Sequence, residues 1–306
     1  MSGRRNGDRA VILWLAALGV DLVAGEPPAW AHPVVWMGRA IARLAAAVPD
    51  DPRAELRYGV AVVAVPAAAA AFAGAAVRLV PSRAVRIVLS VWLLKASFSL
   101  RALLERTGAV EDALARGDIE RARDELRHLV SRPRAALDAP RAASAAIESA
   151  CENLADSYVA PLLWYLAGGL PLALAYRAVN TADAMVGYHG AYERLGKASA
   201  RVDDALGYVP ARCAAGALVV AAPVVGLDGS GAAATALRDH RATESPNAGW
   251  TMAAAAGALG VRLEKTGHYR LGDGRAPRAA DIRAARALVL AAAAVATSAA
   301  AVAARR

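Results

Sequence analysis

The chain has 306 residues, of which 57% are hydrophobic and 21% charged, and its mean hydropathy of +0.32 is high for a protein that meets only water. The net charge of +9 comes from arginines scattered through loops and at both ends (Arg4, Arg5, Arg9, Arg305, Arg306). No basic block with interleaved aromatics tracks a nucleic acid, so that partner is excluded and basic loops on the inner face of a membrane are the better reading.

In chain order, apolar runs occupy 11–25, 59–80, 85–100, 159–176, 208–226 and 287–304. A membrane-spanning helix needs about 20 apolar residues. The first run is shorter and carries Asp21, so it is expected to lie in the interface or re-enter. The residues before it resemble a signal peptide without a good cleavage site, and are read as uncleaved. The other five runs predict about five transmembrane helices. Residues 26–58 form a Pro-rich stretch with short helical pieces, and a tight turn, RLVPSRAVR, joins the next two runs. The segment 101–157 is the most polar. Its apolar Leu103, Val110, Leu114, Ile119, Leu126, Leu129 and Val130 recur at helical spacing, broken at Gly117-Asp118 and Pro133. This predicts a polar helical hairpin outside the bilayer. Strand signals are nearly absent. Cys151 and Cys213 fall in helical stretches and form no disulfide or metal pattern. The expectation is an all-α, polytopic helical integral membrane protein, a single membrane-embedded domain over 1–306. An Ala-rich soluble helical protein competes, because alanine favours helix strongly.

Five polar constellations interrupt this pattern. AIESACENLADS, 146–157, sets Glu148, Glu152 and Asp156 four apart on one helical face. Like charges at that spacing cost about 0.2–0.5 kcal/mol per pair. No Lys or Arg lies within four residues of any of them. Relief must come from a divalent cation, from arginines of another helix, or from solvent. YRAVNTADAMVGY, 176–188, aligns Tyr176, Asn180, Asp183 and Gly187, with Arg177 adjacent. At the end of an apolar run such groups are functional by default, or else anchor a helix end. In ARVDDALGYVPAR, 200–212, Arg201 can pair with Asp204, leaving Asp203 free. Arg212 enters an apolar run, where it needs an anion. In DHRATESPNAGW, 239–250, Ser245 and Asn247 could hold an anion at a helix start, though an ordinary cap fits equally. In DLVAGEPPAWAHPVVWMG, 21–38, His32 is held extended by Pro33. It could be a base or a ligand, but a lone histidine is more often structural. Familiar nucleotide loops are missing: RLGKASA has Ala where a P-loop needs Ser or Thr.

These stretches, together with SPNAGWTMAAAAGALGVRLEK, occur in the order of a known family. The chain resembles the cobinamide-phosphate synthases, the CobD/CbiB family of cobalamin biosynthesis, from about Asp21 to Tyr269. It departs from the family pattern at Glu26, where Asp is common between Gly and Pro. It departs again at Ser131-Arg132-Pro133-Arg134, where Gly-Arg-Asp-Thr is usual, so no role for that Asp or Thr carries over.

The resemblance implies a multi-pass membrane enzyme joining (R)-1-aminopropan-2-ol, or its O-phosphate, to the ring-D propionate of adenosylcobyric acid. The new bond is an amide, ATP is the cosubstrate and Mg²⁺ is expected. Such chemistry needs a cation on the phosphates and positive groups at the transferred phosphoryl. The expected metal residues are Glu148, Glu152 and Asp156, with Asp183 or Asp203. Expected catalytic groups are Glu148, Glu152, Asp183, Asp203 and His32, one of them as base for the amine. Asn153, Arg177, Asn180, Arg201, Arg212, Ser245 and Asn247 are expected to bind substrate. The enzyme is expected in the cell's inner membrane with its active face cytoplasmic, and other cobalamin-pathway enzymes are candidate partners. The alternative is a transporter, with Lys95, Arg212 and paired aspartates lining a path. A helical scaffold for other enzymes is a third reading.

Overall fold

The computed structural model describes residues 2–49, 51–187 and 192–305, with side chains from residue 7 onward. Tyr188 of the 176–188 motif and Arg306 lie outside the described residues, as do the side chains of Arg4 and Arg5. The helices are α1 (Ser2–Ala24), α2 (Pro33–Ala45), α3 (Pro52–Ala76), α4 (Arg83–Ala96), α5 (Leu100–Ala115), α6 (Ile119–Glu125), α7 (Ala139–Leu154), α8 (Ala160–Val186), α9 (Lys197–Ala221), α10 (Gly229–Asp239), α11 (Ala248–Leu259) and α12 (Ala279–Ala303). Their starts follow local chemistry. Asp51, Ser82, Asp118, Asp138 and Asp228 each accept a backbone N–H of the first turn of α3, α4, α6, α7 and α10.

Five stretches are long and apolar enough to cross a membrane: Pro52–Leu79, Arg83–Ala115, Ala139–Val186, Lys197–Ala221 and Ala279–Ala303. The fold is therefore the all-α, polytopic one expected. As expected too, α1 is not among the five; its Asp21 is fully buried rather than lipid-facing. Large apolar side chains such as Phe72, Val88, Val220 and Val302 face outward on these helices, the arrangement lipid favours and water does not.

One stretch, Ala139–Val186, has 48 residues. As a single straight helix it would be roughly 72 Å long at about 1.5 Å per residue, against a hydrocarbon core of about 30 Å. It is interrupted twice. Residues Ala155–Val159 form a π-helical turn. Gly168 and Gly169 then leave helical geometry, Gly169 with φ +71°, a conformation glycine adopts without steric cost.

The chain folds as two compact units, each assembled from separate segments. Unit 1 comprises 1–99, 160–207 and 300–306, and unit 2 comprises 100–159 and 208–299. In unit 1, α2, α3 and α8 pack around Ile41, Val62, Val63, Val179, Ala182, Val186 and Leu195. Gly74 of α3 lets the backbone at Leu170 and Pro171 approach closely, and Gly59 does the same at Leu195. So α3 and the second half of α8 run antiparallel. In unit 2 the polar segment forms α5 and α6, broken at Gly117-Asp118 as the spacing predicts. The interior of α11 is almost all buried alanine and glycine. A short antiparallel hairpin, β1 (Leu263–Lys265) and β2 (Tyr269–Leu271), was not anticipated. Its strands are too short for a period-2 pattern to register.

Candidate active-site residues

In unit 2, α7 carries Glu148 into the interior, where it is only 4% exposed. Its Oε1 accepts from the Ser144 hydroxyl, one turn earlier, at 2.5 Å. Its Oε2 accepts from Arg132 Nη2 at 3.0 Å and from the Tyr269 hydroxyl at 2.8 Å. Ser144 in turn accepts from the Glu264 N–H at 2.8 Å. Burial pushes the Tyr269 phenol well above its ordinary range, and the Glu148 and Glu152 charges push it further. Tyr269 is therefore a permanent donor to Glu148. The relief that the acidic stripe needs comes, at Glu148, from an arginine.

The rest of the stripe is arranged differently from its spacing. Asn153 donates to Ser149 O at 2.9 Å and accepts from Ser157 Oγ at 3.1 Å, so it links the end of α7 to the π turn. Asp156 lies within that turn, whose i→i+5 pattern departs from the α spacing that aligned the three acids. Glu152 and Asp156 are half-exposed. Among the described residues no three His, Cys, Asp or Glu side chains are grouped to hold a metal ion. Of the three acids expected to hold a metal, Glu148 is paired with Arg132 and Asp156 lies in the π turn.

Arg212 corrects another expectation. Its Nη1 donates to Tyr208 O at 2.7 Å and to Asn247 Oδ1 at 2.9 Å, and Nη2 donates to Pro246 O at 3.2 Å. The guanidinium lies 3.5 Å from the centre of the Tyr208 ring. Neutral acceptors and a π face meet its needs without an anion. It fastens the 245–247 loop, where Ser245 Oγ accepts the Asn247 N–H at 3.2 Å.

In unit 1, Arg177 Nη1 donates to Asn180 Oδ1 at 3.2 Å, and Asn180 Nδ2 donates to Asp203 Oδ1 at 3.3 Å. This chain joins α8 to α9. Asp183, one turn beyond Asn180, has a buried Oδ1 with no hydrogen-bond partner, and Asp204 is close enough to act on its charge. The expected Arg201–Asp204 pair does not form; Arg201 is exposed.

The fifth stretch forms the most buried charge cluster of unit 1. His32 caps α2, its Nδ1 accepting the Val34 N–H at 3.2 Å. Nε2 therefore carries the proton and donates to Glu26 Oε2 at 2.8 Å. Lys95 Nζ lies 2.8 Å from Glu26 Oε1 and 3.0 Å from Asp21 Oδ1, with the Phe98 carbonyl at 3.5 Å. Asp21 and Lys95 are 0% and 1% exposed. With both ring nitrogens engaged, His32 has no lone pair left to act as a base; it orients Glu26. Burial opposes ionisation of Glu26, but hydrogen bonds from His32 and Lys95 outweigh it and hold the carboxyl below its ordinary value. Sequence reasoning passed over Glu26, Arg132, Ser144 and Tyr269 as site residues. The available signal was negative: Asp21 and Lys95 in apolar runs demand partners, and so do the uncompensated acids of α7.

A family model described as CobD/Cbib protein matches residues 14–297. A cobalamin biosynthesis protein CobD of Dehalococcoides mccartyi is 41% identical over 279 residues, 87% of this chain and 88% of that protein. The protein of the same name in Mycobacterium tuberculosis is 40% identical over 291 residues, 92% of this chain and 91% of that protein. A probable cobalamin biosynthesis protein CobD of Methanothermobacter thermautotrophicus is 42% identical over 264 residues, 86% of this chain and 87% of that protein. No solved structure matches the chain.

Proposed function

Because the chain belongs to the CobD/CbiB protein family, we propose that it acts in cobalamin biosynthesis as an amide-forming ligase. It joins the ring-D propionate of adenosylcobyric acid to (R)-1-aminopropan-2-ol or its O-phosphate at the expense of ATP. The observation that carries this reading is the extent of the match, residues 14–297, which takes in each polar cluster described above. The transport reading gains no support from the relatives, which are named for biosynthesis.

A carboxylate and an amine do not condense unaided in water. The propionate oxygen attacks ATP to give an acyl phosphate with release of ADP, or an acyl adenylate with release of pyrophosphate; the amine then attacks the acyl carbon, the phosphate or AMP leaves, and the amine nitrogen gives up a proton to a base. Mg²⁺ favours one or two carboxylates plus water and substrate phosphates. Of the expected residues, Asp183, with its unpartnered buried oxygen, fits that preference, and Asp204, which was not among them, lies close enough to act on its charge. A cation held there would neutralise phosphate charge. Arg177, fixed by Asn180, supplies positive charge in the same unit. The face carrying these groups is proposed to be cytoplasmic, where ATP is found.

The test is turnover by the purified protein in detergent, with adenosylcobyric acid, ATP, Mg²⁺ and each amino alcohol. The expected product has the mass of the amide and forms only with ATP. Unchanged corrinoid with every amine would overturn the reading.

A further inference from the structure

We propose that Glu26, held in place by Lys95 and His32, is a binding site for a primary ammonium group. In the reaction proposed above, on which this assignment of ligand rests, it receives the amine donor.

The argument begins with what the cluster leaves accessible. Asp21 and Lys95 are sealed in the interior at 0% and 1% exposure. The Glu26 side chain is 27% exposed and that of His32 15%, so Glu26 is the charged end of the network that a ligand can reach. Each of its oxygens is pinned once, Oε1 by Lys95 at 2.8 Å and Oε2 by His32 at 2.8 Å. Oε1 is itself sealed from solvent, so the acceptor capacity that a ligand can reach lies on Oε2, in a fixed orientation. Within the cluster one ammonium faces two carboxylates, which favours the approach of a further cation.

The neighbouring backbone points the same way. Pro27 and Pro28 follow Glu26 and have no N–H to offer. These two positions therefore offer no backbone donor to compete with a ligand made of N–H donors. An ammonium needs only the remaining lone pairs. A divalent cation would have to draw the carboxylate away from Lys95 or His32. The Glu26 carboxyl ionises below its ordinary value of 4.5, and an alkylamine is protonated at neutral pH, so both partners are charged across the neutral range. Lys95 and His32 are positioning residues: Lys95 has its ammonium on Asp21 and Glu26, and His32 has both nitrogens engaged.

The test is calorimetric titration of purified protein with (R)-1-aminopropan-2-ol and with the neutral isostere propane-1,2-diol, without ATP or corrinoid. The amine is expected to bind about tenfold or more tightly than the diol, a difference of about 1.4 kcal/mol, and Glu26→Gln is expected to abolish that difference. Lys95→Arg should retain it and Lys95→Met should lose it. If Lys95→Met fails to fold, the partly exposed Glu26→Gln still decides, its folding checked by thermal unfolding. In turnover, Glu26→Gln should raise KM for the amine about tenfold and leave KM for ATP unchanged. Equal binding of amine and diol, or wild-type amine affinity in Glu26→Gln, overturns the site. Tighter binding of Mg²⁺ alone in wild type than in Glu26→Gln, with no amine preference, also overturns it in favour of a metal. Amine binding through Glu26 without amide formation by the wild type sinks the reaction and leaves the site standing. Amide formation with unaltered amine KM in Glu26→Gln sinks the site alone.

Discussion

Glu148 and Glu26 are both partly or wholly buried carboxylates, and each is stabilised by a basic residue far away in sequence. At Glu148, removing one partner of a buried pair costs more than the pair itself contributes, because the remaining charge is left without compensation. Arg132→Met is expected to destabilise the protein by about 3 kcal/mol. Arg132→Met with Glu148→Gln should recover part of that loss, as read by denaturant unfolding in detergent. At Glu26 the folded carboxyl ionises below its ordinary value of 4.5. Its contribution is therefore fully present above the unfolded value and lost as pH falls through the folded one. The melting temperature should drop as pH is lowered from 4.5, and the drop should be smaller in Glu26→Gln.

Among the helices, α8 shows how a local choice sets a long-range contact. Gly169 at φ +71° ends one helical segment, and Pro171 meets Gly74 of α3 directly afterwards. Gly169 combines φ +71° with ψ −161°, a region open essentially to glycine alone, where a side chain costs roughly 1–3 kcal/mol. Gly169→Ala and Gly169→Asn should both lower the melting temperature, because the tolerance of asparagine for left-handed helical geometry does not extend to this ψ. The π turn at 155–159, which holds Asp156, is a second local break in the same stretch. The β1–β2 hairpin buries Leu263 and Leu271 and brings Tyr269 to Glu148.

For the whole molecule, the five long apolar stretches and the apolar residues facing outward predict tight membrane residence. The protein should remain in the pellet after alkaline carbonate extraction and leave it only with detergent; release by carbonate would contradict a polytopic fold. The sequence alone determined the helical class, the stretches able to cross a membrane and the break at Gly117-Asp118, because periodicity, run length and glycine placement are local properties. It also determined the family, and it marked Glu148, Asn180, Asp183 and His32 as polar groups needing explanation. Only the tertiary structure decided what satisfies them. Arg132 is 16 residues from Glu148 and Tyr269 is 121 away, and spacing carries no information about pairings at such distances. The same holds for Arg212, which carbonyls and an aromatic ring satisfy, and for Arg201, left exposed. A buried charge announces that it has a partner; which partner is fixed by how the helices pack.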